Sequence, residues 1–193
     1  MTGALETLGL FSGFLAIIAA VPYIRDILKG QTCPERISWL IWSSLSVIAL
    51  ASQLAQGSTW GLGVTVGDTL ATISIFGLSI KYGVGGWTKR DITALVVALA
   101  GLGAWLVSRQ PITALLAVVV ADLSGSVLTI RKAYESPETE TLSMWVLVAL
   151  SGVLGAISVG REDLRFLVYP LYLAATNGAV GIAIVIGRNR RAR

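Results

Sequence analysis

Charged and strongly polar residues divide this chain into seven apolar segments, at about 8–28, 37–56, 61–81, 91–108, 112–132, 142–159 and 164–187. Crossing roughly 30 Å of hydrocarbon as a helix takes about 20 apolar residues. The segments therefore predict seven transmembrane helices, the fourth the shortest. They fall in a three-plus-one-plus-three order: helices 1–3 over residues 1–86, a spacer helix 4 over 87–110, and helices 5–7 with a basic tail over 111–193. The expected fold class is an all-α membrane protein, two parallel three-helix repeats joined by a spacer helix. One intervening span is what keeps both copies in the same orientation.

The last three segments echo the first three. Ile24-Arg25 near the end of helix 1 aligns with Ile130-Arg131 in helix 5. The loops at 29–36 and 134–141 are both short and polar. Ile37-Ser38 and Leu142-Ser143 open the next helices, each with a glutamate three residues before the serine, Glu35 and Glu140. The third helix of each copy holds one strongly polar side chain, Asp68 or Asn177, followed at equal spacing by Lys81 or Arg190.

Composition supports the same class. The chain is 54% hydrophobic and 13% charged, with a mean hydropathy of +0.76. That is too little charge to cover a soluble domain, and 193 residues suit one domain. Arg25, Lys29, Arg36, Lys81, Lys89, Arg90, Arg131, Lys132, Arg188, Arg190, Arg191 and Arg193 fall on one side of the seven spans. Arg109, Arg161 and Arg165 fall on the other. The bias predicts an outer N-terminus and a cytoplasmic C-terminus in a plasma (inner) membrane. The isoelectric point near 9.5 reads as orientation and contact with the lipid bilayer, and the arginine tail as a lipid anchor. Nucleic-acid binding is not expected. The residues before helix 1 carry Glu6 and no Lys or Arg, unlike a cleavable signal, so helix 1 is expected to remain.

Within the spans, Asp68 and Asp122 are the acids placed in hydrocarbon. A charge there costs about 2.5–3.5 kcal/mol to insert and is retained where it meets a partner or a cavity. Both are candidates for binding solute and for carrying a proton. Helical spacing puts Thr65, Asp68, Thr72 and Ser79 on one stripe of helix 3, and Asp122, Ser126 and Thr129 on one face of helix 5. Tyr169, Tyr172 and Thr176 cluster on helix 7 beside Asn177, and Trp39, Trp42, Ser43, Ser46 and Gln53 on helix 2. These four stripes are expected to line one central path. Trp39, Trp60, Trp87 and Trp145 lie near helix ends and read as interfacial anchors. Pro22 in helix 1 and Pro170 in helix 7 each remove a backbone hydrogen bond, so both are hinge candidates.

The stretch Val21-Pro22-Tyr23-Ile24-Arg25, then Gln31-Thr32 and Ile37-Ser38, with Asp68 and Asn177 in the third helices, resembles the SWEET/SemiSWEET and PQ-loop transporter superfamily. Tyr23 stands where that family usually has glutamine, and Leu128-Thr129 where the second proline-glutamine pair would fall. The resemblance implies a transporter of a small polar solute, a sugar above all, working by alternating access between two three-helix halves. In the sugar branch an asparagine in each third helix contacts substrate. Asn177 matches that position and Asp68 departs from it. An aspartate at this place resembles the proton-coupled amino-acid branch, in which an intramembrane aspartate takes up a proton. Tryptophans of helices 2 and 6 stack on sugar in the family, which makes Trp42 a substrate candidate. The expected solute site is thus Asp68, Asp122, Asn177, Tyr172, Thr72, Thr176 and Trp42.

Other functions fit less well. There is no histidine, no Gly-x-Ser-x-Gly elbow and no zinc-protease motif, so no enzyme is expected. Helix 7 has no lysine for retinal. Gly83, Gly85 and Gly86 follow no strand and precede no phosphate-binding lysine, so no nucleotide, metal or other cofactor is implied. The single Cys33 excludes an internal disulfide. A membrane receptor of the same fold remains an alternative, although it would hold its ligand with intramembrane basic residues, and Arg25 near a helix end is the nearest instance. The partners expected are a small-molecule solute, lipid and, in the coupled reading, protons. A homo-oligomer stays open.

Overall fold

The computed structural model describes residues 2–55, 62–108, 111–159 and 164–192. Among them the chain is all helical. The helices are α1 (Thr2–Leu28), α2 (Arg36–Ala55), α3 (Leu62–Tyr82), α4 (Lys89–Ser108), α5 (Pro111–Glu135), α6 (Leu142–Ser158) and α7 (Leu164–Arg191), with a 3₁₀ turn at Pro137–Thr139. No strand occurs among the described residues; one isolated parallel bridge pairs Glu35 with Val84. The ends match the apolar segments closely, except where polar residues extend a helix. α7 continues to Arg191, with Arg188, Arg190 and Arg191 in its last turn, where cations suit the negative end of the helix dipole. Arg190 lies 4.7 Å over the Tyr134 ring, and Arg191 pairs with Glu138 at 2.7 Å. Arg190 and Arg191 of the basic tail are therefore held by protein groups.

Gly3–Leu28 and Leu167–Arg191 are each long and apolar enough to cross a membrane, and Arg36–Ala51 and Leu142–Ser158 are shorter apolar helices. In those two long helices, 17% and 33% of the most apolar stretch is buried inside the protein, low shares for the core helix of a soluble fold. Leu10, Phe11 and Phe14 of α1 and Leu171, Ile182 and Ile186 of α7 are exposed.

The chain forms two compact units, Met1–Thr32 with Ala133–Arg193, and Cys33–Lys132. In the first, α1 packs on α6 and α6 on α7. Small residues allow the close approach. The Ser12 hydroxyl donates to the Ser151 carbonyl and the Ser151 hydroxyl to the Ser12 carbonyl, each at 2.8 Å. Gly155 faces Ser12, and a β-carbon at Gly152 would meet the Ala174 nitrogen of α7 at 2.6 Å. Tyr23 is fully buried edge-on against Trp145, with centroids 5.9 Å apart. The Trp145 indole donates to Glu140 at 2.9 Å. Thr141, just before α6, donates to Asp26 at 2.8 Å and lies 2.6 Å from the buried Thr32 hydroxyl.

In the second unit α2 packs on α3 and α4. Its core is Ile37 and Ile41 of α2, Ala94 and Ala98 of α4 and Ala121 of α5. Ser38 of α2 donates to the Gly125 carbonyl of α5 at 2.7 Å, and Thr129 of α5 donates to Ser38 at 2.9 Å. Thus α1 packs on α6, and α5 on α2, pairings that cross between the two copies expected from the sequence. The sequence copies and the packed units are separate divisions of the chain.

Two tryptophans correct the sequence reading. Trp39 is 2% exposed and Trp145 3%, so neither is an interfacial anchor. Each ring turns inward onto an aromatic partner, Trp42 at 5.0 Å for Trp39 and Tyr23 for Trp145. Trp87, 79% exposed, suits the anchor reading, and Trp60 lies outside the described residues.

Candidate functional site

Asp68 and Thr72 stand on α3, Asp122 on α5 and Trp42 on α2, all in the second unit. The Asp68 and Asp122 carboxylates are close enough to interact electrostatically across the two helices. Asp68 is exposed and Asp122 half-buried. Ser126 donates its hydroxyl to Asp122 Oδ2 at 3.2 Å, at the spacing of one helical turn. Ser126 and Thr129 are buried, so the α5 stripe faces protein. The α3 stripe divides along its length. Asp68 is open, Thr72 half-buried and Ser79 fully buried. The side chain of Thr65 lies outside the described set, as does that of Gln53.

The Thr72 hydroxyl lies 2.8 Å from Ser46 of α2 and donates back to the Asp68 carbonyl at 3.0 Å. The neighbouring Thr69 donates to the Ser46 carbonyl at 3.2 Å. These bonds tie α3 to α2 beside Asp68, so Thr72 has a packing role whatever else it does. The Trp42 indole borders Gly125, whose hydrogen leaves room for the ring.

Tyr172, Thr176 and Asn177 stand on α7, in the first unit. Tyr169 and Tyr172 stack at 6.5 Å and 30°. Thr176 donates to the Tyr172 carbonyl at 3.0 Å, and Asn177 Nδ2 to the Leu173 carbonyl at 2.9 Å. Pro22 lies inside α1 and Pro170 inside α7, so both hinge candidates belong to the first unit. Both helices are continuous through their prolines. The structure therefore brings Asp68, Asp122, Thr72 and Trp42 into one unit and Asn177, Tyr172, Thr176 and the prolines into the other.

A second polar cluster sits at the head of α2, and the sequence reading did not assign it chemistry. Glu35 is 4% exposed. Its Oε2 accepts from the Ser38 backbone at 2.6 Å and from the Ser38 hydroxyl at 2.7 Å, as a carboxylate at a helix start does. Its Oε1 is buried with no hydrogen-bond partner. Gly85 closes over that oxygen at φ +83°, and a β-carbon there would run into it. The neighbouring Arg36 does not neutralise the acid. Its guanidinium donates to the carbonyls of Ser79, Ile80, Gly83 and Gly85 instead. Asp91 of α4 is near, held by the Gly86 and Thr88 backbone nitrogens at 2.9 and 3.0 Å. Burial above all, with the Asp91 charge, pushes Glu35 above the ordinary glutamate range, against the Ser38 bonds that pull it down. The echo of Glu35 and Glu140 marked this place in the sequence, and Thr88-x-x-Asp91 is a legible capping box.

Family models, curated proteins and solved structures offered no match to this chain.

Proposed function

We propose that this chain is a membrane-embedded, SWEET-like transporter of a small polar solute, most readily a sugar, working by alternating access. The observation that carries the reading is the pair Asp68 and Asp122: two carboxylates within electrostatic reach on helices whose other charged residues stand at their C-terminal ends. Acids on hydrocarbon-spanning helices mark solute or ion pathways by default. The broad exposed apolar surface of α1 and α7 supports the membrane setting. In this reading all seven helices span, as two parallel repeats joined by α4, with the N-terminus outside and the C-terminus in the cytoplasm. The resemblance in the residues from Val21 to Ser38 supports the class.

The same acid pair favours a second reading, a proton-coupled carrier of an amino acid, in which Asp68 or Asp122 takes a proton with the solute. One experiment separates the two. The purified chain is reconstituted in liposomes, and labelled sugars and amino acids are screened for uptake with and without an acid exterior. A facilitator equilibrates its solute whatever the pH gradient. A coupled carrier accumulates solute only while the outside is acidic. Failure to move any solute across a broad screen would remove the transport reading.

A further inference from the structure

The relay that leaves α5 ends on an acid with no other assigned task. Thr129 Oγ1 donates to Ser38 Oγ at 2.9 Å. The Ser38 hydroxyl has two acceptors, Glu35 Oε2 and the Gly125 carbonyl, each at 2.7 Å. One proton cannot serve both, so it points to one acceptor at a time. That choice is what a proton relay requires. Upstream, Thr129, Ser126 and Asp122 occupy one face of α5, and Ser126 is bonded to Asp122. Ser126 and Thr129 are neighbours on that face, about 5–6 Å apart at their β-carbons. The path requires a rotated hydroxyl or one bridging water across that gap.

We propose that Glu35 is a proton-binding site, linked through Ser38, Thr129 and Ser126 to the Asp122–Asp68 pair as the inner end of a proton path. The transfer conserves every atom. Ser126, which donates to Asp122 Oδ2 in the structure, turns its hydroxyl toward Thr129. A neutral Asp122 then gives its proton to the Ser126 oxygen, each hydroxyl passes its own proton onward, and Glu35 Oε2 takes the last one from Ser38. The net change is a neutral Asp122 and an ionised Glu35 becoming an ionised Asp122 and a neutral Glu35. The charged groups around Glu35 are Asp91 from α4 and Arg36 beside it, while α5 reaches it through Ser38 with Gly125 and Thr129. A plain helix cap does not account for the second carboxyl oxygen. An ionised carboxylate with one oxygen sealed without a donor is costly, whereas a proton taken up at Oε2 removes the charge from the group.

The role in transport rests on the proton-coupled reading, and the test keeps the two apart. Infrared spectra of the full chain in lipid nanodiscs are recorded against pH. A protonated-carboxyl band is expected that titrates above the ordinary glutamate range and is lost in Glu35→Gln. Thr129→Val and Asp122→Asn should shift its frequency or midpoint without abolishing it. If Glu35→Gln leaves the carboxyl bands unchanged, Glu35 binds no proton and the proposal falls. If the band is present but neither Thr129→Val nor Asp122→Asn moves it, the path is overturned. Both spectroscopic outcomes are read without any solute. In liposomes, Glu35→Gln should keep exchange of labelled solute between equal pools and lose proton-driven accumulation. Full accumulation by that variant would overturn the path, while absence of any wild-type transport would strike the transport reading alone.

Discussion

Ser12 and Ser151 each donate a side-chain hydroxyl to the other's backbone carbonyl at 2.8 Å. The pair fastens α1 to α6, two helices that the sequence reading assigns to different copies. Each bond answers a carbonyl already engaged within its helix, so the pair adds attraction rather than filling a defect. Interhelical hydrogen bonds of this kind contribute about 0.6–2 kcal/mol. A double-mutant cycle of Ser12→Ala and Ser151→Ala, read by unfolding in mild detergent, should therefore give a coupling of about 1 kcal/mol. Strict additivity of the two variants would show that the reciprocal geometry does not persist in solution.

Gly152 tests the other face of α6. A β-carbon there would lie 2.6 Å from the Ala174 nitrogen and 2.8 Å from the Pro170 carbonyl, and both are backbone atoms that cannot swing aside. Gly152→Ala should cost about 1–3 kcal/mol through overpacking. Gly178→Ala serves as the control, because nothing lies within 4 Å of the added carbon. There the gain in helix propensity should leave stability equal or slightly raised. Melting temperatures of the two variants decide the matter, and similar values would refute the close α6–α7 approach.

Helix positions were legible because a run of apolar residues bounded by charges has few other fates. Partner choice was not. α1 is apolar on nearly every side, so nothing in residues 8–28 marks α6, rather than a helix of its own copy, as its neighbour. Trp39 and Trp145 show the same limit. A tryptophan near a helix end fits an interfacial anchor or an inward ring equally well until the facing helix is known. Asp68 and Asp122 stood out as lone acids in apolar runs. Their electrostatic contact depends on the fold bringing α3 and α5 into one unit, which no spacing within either helix encodes. The orphan oxygen of Glu35 was hidden because its burial depends on Gly85, fifty residues further along the chain.

The Gly85 turn yields a coupled prediction. Its φ of +83° disfavours any side chain, and the added carbon would also collide with the Glu35 carboxyl. Gly85→Ala should lose about 1–3 kcal/mol. In a Glu35→Ala background the collision is gone and the backbone strain remains, so the same substitution should cost less. Equal costs in the two backgrounds, measured by thermal unfolding, would place the Glu35 side chain elsewhere.

Stability should also carry the signature of Glu35 in its pH dependence. In the unfolded chain this acid titrates near its ordinary value of 4.5, and in the folded chain it titrates higher. Between those two values the folded state holds more proton than the unfolded state. Unfolding free energy from this group is therefore greatest below 4.5 and falls as pH rises through the raised value. Glu35→Gln cannot ionise and removes this slope. Comparing melting temperature with pH for wild type and variant, the difference should widen in favour of the variant as pH rises from about 4 to 8. A difference that is flat across this range would mean that Glu35 titrates alike in both states.

Asp68 and Asp122 make the functional prediction. If the pair binds the solute or its proton, replacing either carboxylate with an amide keeps the size and removes the charge that transport uses. Asp68→Asn and Asp122→Asn should each lower initial uptake by about tenfold or more, with normal yield and melting temperature. The double variant should be little worse than either single one, because residues acting as a unit are not additive. Asn177→Ala, on α7 of the other unit, separates the roles further. A loss confined to apparent affinity would mark Asn177 as a solute contact, whereas the aspartates should also lower the maximal rate. Unimpaired uptake in both aspartate variants would remove the acid pair from the mechanism and leave its electrostatic contact a feature of folding alone.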